Sequence, residues 1–227
     1  MLRKLGSGSF ANTGIPKQGL ARRHGDDTIS IPSDRKKGNM LFYIKRHLWL
    51  EITVTILLAS LGLWGMHALN LPLHLKPSLF DVVLGVVGAA WLGVWTLLVQ
   101  YGYRVFKGSA FAEQLTASLA KEYVNPTPAQ ILLGGVTAAC GEEIFFRGFI
   151  QQWLGLVVAS LVFMVAHFGR KDIRVVSYWS IFQGLYLGLF FAYSKNLIVP
   201  MIAHGLFDMG GMVYFRDFML RQQNKRI

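Results

Sequence analysis

The sequence predicts an all-α, polytopic membrane helix bundle with about six transmembrane helices. Three observations predict it. Hydrophobic residues make up 53% of the 227-residue chain and charged residues only 15%, well below the quarter usual in soluble domains. The mean hydropathy is +0.40. The apolar residues are also gathered into runs of about 20, the length an α-helix needs to cross a bilayer core.

Residues 1–40 are polar, rich in Gly, Ser, Lys and Arg, and without period, which predicts a disordered basic cytoplasmic tail. No apolar core follows the early charges closely enough for a signal peptide. Residues 41–124 hold two apolar spans, roughly Leu48 to Leu69 and Leu79 to Tyr101, and then an amphipathic, mixed-charge linker through Lys121. The third span opens at Asn125-Pro126-Thr127-Pro128-Ala129-Gln130. Thr127 can cap this helix, Pro128 suits its first position and Gln130 completes a capping box; it is predicted to run to about Trp153. The fourth span, roughly Leu156 to Phe168, is short and is followed by the polar Gly169-Arg170-Lys171-Asp172. The fifth, from about Val175 to Tyr193, carries Gly184-x-x-x-Gly188, which allows close helix packing. In the sixth, Leu197 to Tyr214, Pro200 is expected to kink or loosen the helix. Residues 216–227 read as a basic C-terminal tail.

The net charge of +11 would suggest nucleic acid in a soluble protein. Here ten of the 23 Lys and Arg precede residue 48 and four follow residue 215. They lack the aromatic or motif partners of a nucleic-acid surface, so no nucleic-acid partner is expected. With six spans, the N-terminus, Arg104/Lys107/Lys121, Arg170/Lys171/Arg174 and the C-terminus all fall on one side, while the opposite loops carry only Lys76 and Lys195. The positive-inside rule then puts both termini in the cytoplasm. Cys140 is the single cysteine, which excludes an internal disulfide. Neighbouring carboxylates disfavour its thiolate, so it reads as a small packing residue rather than a nucleophile.

Charge within an apolar span costs a few kcal/mol per residue even on lenient insertion scales. The polar groups placed in the spans are Glu142, Glu143, Arg147, His167, His204 and Asp208. Glu143 and Arg147 are four apart, share a helix face and can pair. Glu142 is turned by about 100° and lacks that partner, which leaves it to face a cavity as a proton acceptor. His204 and Asp208 share a face of the sixth span, and Phe163 and His167 a face of the fourth. At about 1.5 Å per residue, Glu142 and His204 reach similar depths from opposite membrane faces. His167 matches only if its span starts near Val157 or later.

These residues resemble the CPBP family of intramembrane proteases (CAAX protease and bacteriocin-processing, also called Abi). The three ordered motifs are Glu142-Glu143-x-x-x-Arg147, Phe163-x-x-x-His167 and His204-x-x-x-Asp208. Phe146-Arg147-Gly148, Gly184-Leu185-Tyr186-Leu187-Gly188 and Pro200-x-x-x-His204 agree with the family's flanks, and the likeness covers about residues 125–215 as a catalytic core. It implies an endopeptidase in which Glu142 is the general base, His167 helps to hold or activate water, and His204 and Asp208 stabilise the oxyanion. Glu143, Arg147 and Phe163 would support the site. The third motif more often ends in Asn. An ionised Asp208 cannot donate to an oxyanion; it could instead orient His204 or sit protonated.

The resemblance further implies a membrane-associated peptide or protein substrate with an apolar or lipidated tail, membrane lipids as partners, and residence in the bacterial inner (plasma) membrane. No cofactor is expected. The alternative is a zinc enzyme with His167, His204, Glu142 and Asp208 as ligands, acceptable by atom type. A proton-coupled carrier and a non-enzymatic immunity or scaffold protein are the rival functions; the lack of internal repeats weighs against the carrier.

Overall fold

A computed structural model describes residues 35–108, 116, 120, 126–168 and 174–224. The expected tail over 1–34, most of the linker at 109–125, the polar segment 169–173 and residues 225–227 lie outside the described residues. The helices are α1 (Arg35–Ala68), α2 (Leu79–Lys107), α3 (Pro128–Glu143), a π-helical segment (Ile144–Gln151), α4 (Gln152–Ala166), α5 (Arg174–Ser194) and α6 (Ile198–Asn224). Among the described residues there is no strand.

Among the described residues, four helical stretches are long and apolar enough to cross a membrane: Trp49–Ala68, Leu79–Lys107, Pro128–Ala166 and Ile198–Gln222. This differs from the expected count of about six, in part because the third and fourth spans join in one 39-residue helical stretch. That stretch is broken at Gly155, whose φ of 86° and ψ of 169° are not helical. Space around Gly155 is open, so glycine serves there for its backbone freedom and not for lack of room. Phe146 and Phe163 flank the break and pack edge to face with centroids 4.9 Å apart. Unbroken helix would separate them by about 25 Å. The chain therefore folds back at Gly155, and α4 returns along the π-helical segment.

The helix ends also differ from expectation. α1 begins at Arg35, inside the segment read as tail, and α6 continues to Asn224, through most of the expected C-terminal tail. The first extension carries Arg35, Lys36, Lys37 and Met40 and the second Arg216, Met219, Leu220, Arg221, Gln222 and Gln223, residue types that propagate a helix already nucleated in an apolar span. Pro200 does not break α6. It lies in the first turn, where no intrahelical donor is needed, and Met201 N bonds to Leu197 O at 3.0 Å. The capping box of α3 forms as the sequence predicts: Gln130 N donates to Thr127 Oγ1 at 3.3 Å and Thr127 N donates to Gln130 Oε1 at 2.8 Å.

Close crossings set the helices against one another. A Cβ on Gly184 would lie 3.1 Å from Ser160 Cα, so the glycine pair of α5 is where α5 meets α4. A Cβ on Gly135 would lie 2.9 Å from Gly205 O, and one on Gly205 would lie 3.1 Å from Gly135 O. That reciprocal contact presses α3 on α6 one residue from His204. Asn196, in the α5–α6 connection, donates to Asp81 Oδ2 at 2.9 Å and to Lys76 O, and accepts from Lys76 N at 3.3 Å and Ile198 N at 3.2 Å. It ties that connection to the start of α2. Large apolar side chains such as Trp64, Phe80, Trp91 and Leu98 stand more than half exposed on the outside, a surface that suits lipid and not water.

Candidate active site

Glu142 and Glu143 end α3, and Arg147 follows in the π-helical segment. Single π turns concentrate at functional sites, because the wider turn re-aims side chains. Arg147 is 1% exposed and Glu143 fully buried. Arg147 Nη1 donates to Glu143 Oε1 at 2.9 Å, and Nη2 donates to Gly184 O at 3.3 Å. The guanidinium also lies 4.7 Å from the centroid of the Phe163 ring, in cation–π range. One turn on, Gln151 Nε2 donates to Gly188 O at 2.8 Å. Two polar side chains of the π-helical segment thus reach the carbonyls of both glycines on α5.

The spacing pairs Glu143 only with Arg147. The fold adds a second partner, His204 from α6: His204 Nδ1 lies 2.7 Å from the same Oε1. His204 Nε2 lies 3.3 Å from Asp208 Oδ2. The imidazole is 4% exposed and is bracketed by a fully buried carboxylate on one side and a 28% exposed one on the other. Carboxylate oxygens accept, so both ring nitrogens meet acceptors.

Phe163 ties the remaining group to this cluster. It is 1% exposed, and its ring centroid lies 4.5 Å from that of His167 and 6.2 Å from that of His204. His167 Nδ1 sits 2.7 Å from Phe163 O. A carbonyl only accepts, so Nδ1 carries the proton, and in the neutral ring Nε2 holds the lone pair. The break at Gly155 starts the returning helix at Leu156, late enough for His167 to reach the depth of the other site groups.

Among the described residues, Glu142 Oε2 is buried with no hydrogen-bond partner; Glu143 Oε2 is likewise unpartnered, but its Oε1 is held by Arg147 and His204. Glu142 lies within Coulombic range of His204, His167, Asp208 and Glu143. All seven residues singled out in the sequence therefore meet in one place. Sequence reasoning missed Gln151, Gln152 and Glu51. Gln152 Nε2 donates to Gly148 O within the π-helical segment and to Pro72 O at 3.2 Å. Glu51 of α1 lies within Coulombic range of Asp208. Each is a polar residue in or at the end of an apolar run, which was the available signal.

A zinc ion would need His167, His204, Glu142 and Asp208 as a converging set. Both His204 nitrogens already face carboxylates. Among the described residues no three His, Cys, Asp or Glu side chains are grouped to hold a metal.

These features define a class: a helical membrane protein with an acid–histidine cluster buried among its spans. Residues 124–210, which hold the whole cluster, match the family described as Type II CAAX prenyl endopeptidase Rce1-like, the protease family that the three motifs resemble. Over 75 residues, 31% of this chain and 37% of the relative, the chain is 40% identical to the uncharacterized protein YpbD of Bacillus subtilis (strain 168). The matched stretch thus covers little more than a third of that curated relative's length. No solved structure matches the chain.

Proposed function

We propose that the chain is an intramembrane endopeptidase that cleaves a membrane-associated substrate near its C-terminus or leader, using water activated by Glu142 and His167. The observation that carries this is the buried Oε2 of Glu142, which has no hydrogen-bond partner among the described residues and lies within Coulombic range of His167 and His204. A carboxylate oxygen deep in an apolar span calls for a donor, and a water molecule is the donor that hydrolysis needs.

In this mechanism His167 Nε2 and Glu142 hold the water. Glu142 takes a proton as the water oxygen bonds to the scissile carbonyl carbon. The charge developing on the carbonyl oxygen meets the Nε2–H of His204. As the C–N bond breaks, Glu142 returns the proton to the leaving amine. Glu143 and Arg147 hold His204 and the π-helical segment in place. The substrate is a peptide or protein with an apolar or lipidated tail, delivered through the surrounding lipid; a prenylated Cys-aliphatic-aliphatic-X tail is the probe suggested by the matched family's description. Both termini face the cytoplasm of a bacterial inner membrane.

Two experiments bear on this reading. Purified protein treated with a strong chelator is expected to keep cleaving its probe, since no step passes through a metal; loss of activity that zinc restores would instead mark a zinc enzyme. For topology, reporters fused after residue 227 or within residues 105–120 should read cytoplasmic, and one within residues 71–77 external. The opposite pattern would invert the orientation.

A further inference from the structure

Asp208 stands where the mechanism needs an open donor. His204 has two ring nitrogens. Nδ1 is held at 2.7 Å by the fully buried Glu143, so Nε2 is the nitrogen left for a substrate. That nitrogen lies 3.3 Å from Asp208 Oδ2. The two contacts are unequal. Glu143 is sealed in the core and shared with Arg147, whereas the Asp208 side chain is 28% exposed and its contact is the longer one. Among the described residues, Glu51 on α1 and Glu142 on α3 lie within Coulombic range of Asp208, and as like charges they disfavour it. Among the described residues, His204 is the basic group that holds it.

We propose that Asp208 caps the oxyanion donor in the substrate-free enzyme, and that a substrate carbonyl must displace its carboxylate from His204 Nε2 before the peptide bond can be cut. Resting on the endopeptidase reading, this turns Asp208 from an oxyanion stabiliser into a positioning residue that the substrate works against. Glu143 stays on Nδ1 throughout and keeps the ring aimed. The longer, partly exposed contact yields while the shorter, buried one does not. Displacement moves Asp208 without breaking a covalent bond or transferring a proton, so cleavage itself follows the steps above.

The test compares wild type, Asp208→Asn and Asp208→Ala on an internally quenched peptide ending in prenyl-Cys-aliphatic-aliphatic-X, in lipid nanodiscs. Removing the cap should lower KM by about fivefold, the worth of a partly exposed ion pair, with kcat kept. A merely structural role would alter melting without that split. A second readout needs no turnover: the 15N signal of His204 Nε2 in substrate-free protein, assigned against His204→Gln, should shift in Asp208→Asn while Nδ1 holds. Reduced kcat at unchanged KM in both variants would overturn the proposal, as would a Nε2 signal indifferent to Asp208; wild-type cleavage would leave the protease reading standing in either case. Absence of cleavage by wild type and variants alike would overturn both.

Discussion

Glu142→Gln is expected to lower cleavage by about 10²- to 10⁴-fold, the span of general-base catalysis, while expression and melting temperature stay near wild type. The side chain keeps its volume, and the buried Oε2 it alters has no hydrogen-bond partner to lose among the described residues. Rate measurements on detergent-purified protein, with thermal unfolding alongside, check both halves. Full proteolysis by Glu142→Gln would remove Glu142 from the role of base.

Arg147→Ala should act through stability first. Arg147 is the ion-pair partner of fully buried Glu143, a donor to Gly184 O and a lid on the Phe163 ring. Its removal leaves a buried carboxylate with His204 as its remaining partner, a change that costs about 3–5 kcal/mol when a buried pair is broken from one side. Glu143→Gln should also destabilise, and it loosens His204 as well. The pattern to look for in melting curves is a large drop for Arg147→Ala and Glu143→Gln beside almost none for Glu142→Gln. Equal melting of all three would contradict the division of roles between the adjacent acids.

The cluster was readable because charge inside apolar runs is costly and rare. Helical spacing alone puts four of the six polar groups into two pairs, Glu143 with Arg147 and His204 with Asp208, sets His167 with Phe163 and leaves Glu142 unpaired. The capping box at Thr127 was readable for a similar reason, as both of its bonds lie within four residues. Contacts between helices were not. His204 lies 61 positions from Glu143, and nothing in the spacing of either helix tells which face of α3 meets α6; that is fixed by the backbone contact at Gly135 and Gly205. The π-helical segment was hidden too, since its apolar residues fit an ordinary α-helix and the α5 carbonyls that Arg147 and Gln151 reach lie 37 positions away. The reversal at Gly155 was placed correctly as a gap between two spans, but by length and composition the same residues form one stretch. Pro200 was misread because the start of α6 decides whether a proline breaks a helix or begins one.

The most direct test of the central claim places purified protein in liposomes with the prenylated Cys-aliphatic-aliphatic-X peptide, and follows the peptide by intact mass spectrometry while a dye in the lumen follows proton movement. The endopeptidase reading predicts two fragments whose masses sum to the peptide plus one water, formed by wild type and not by Glu142→Gln, with no proton flux that depends on Glu142. Intact peptide in the presence of wild type, together with proton flux abolished by Glu142→Gln, would contradict it.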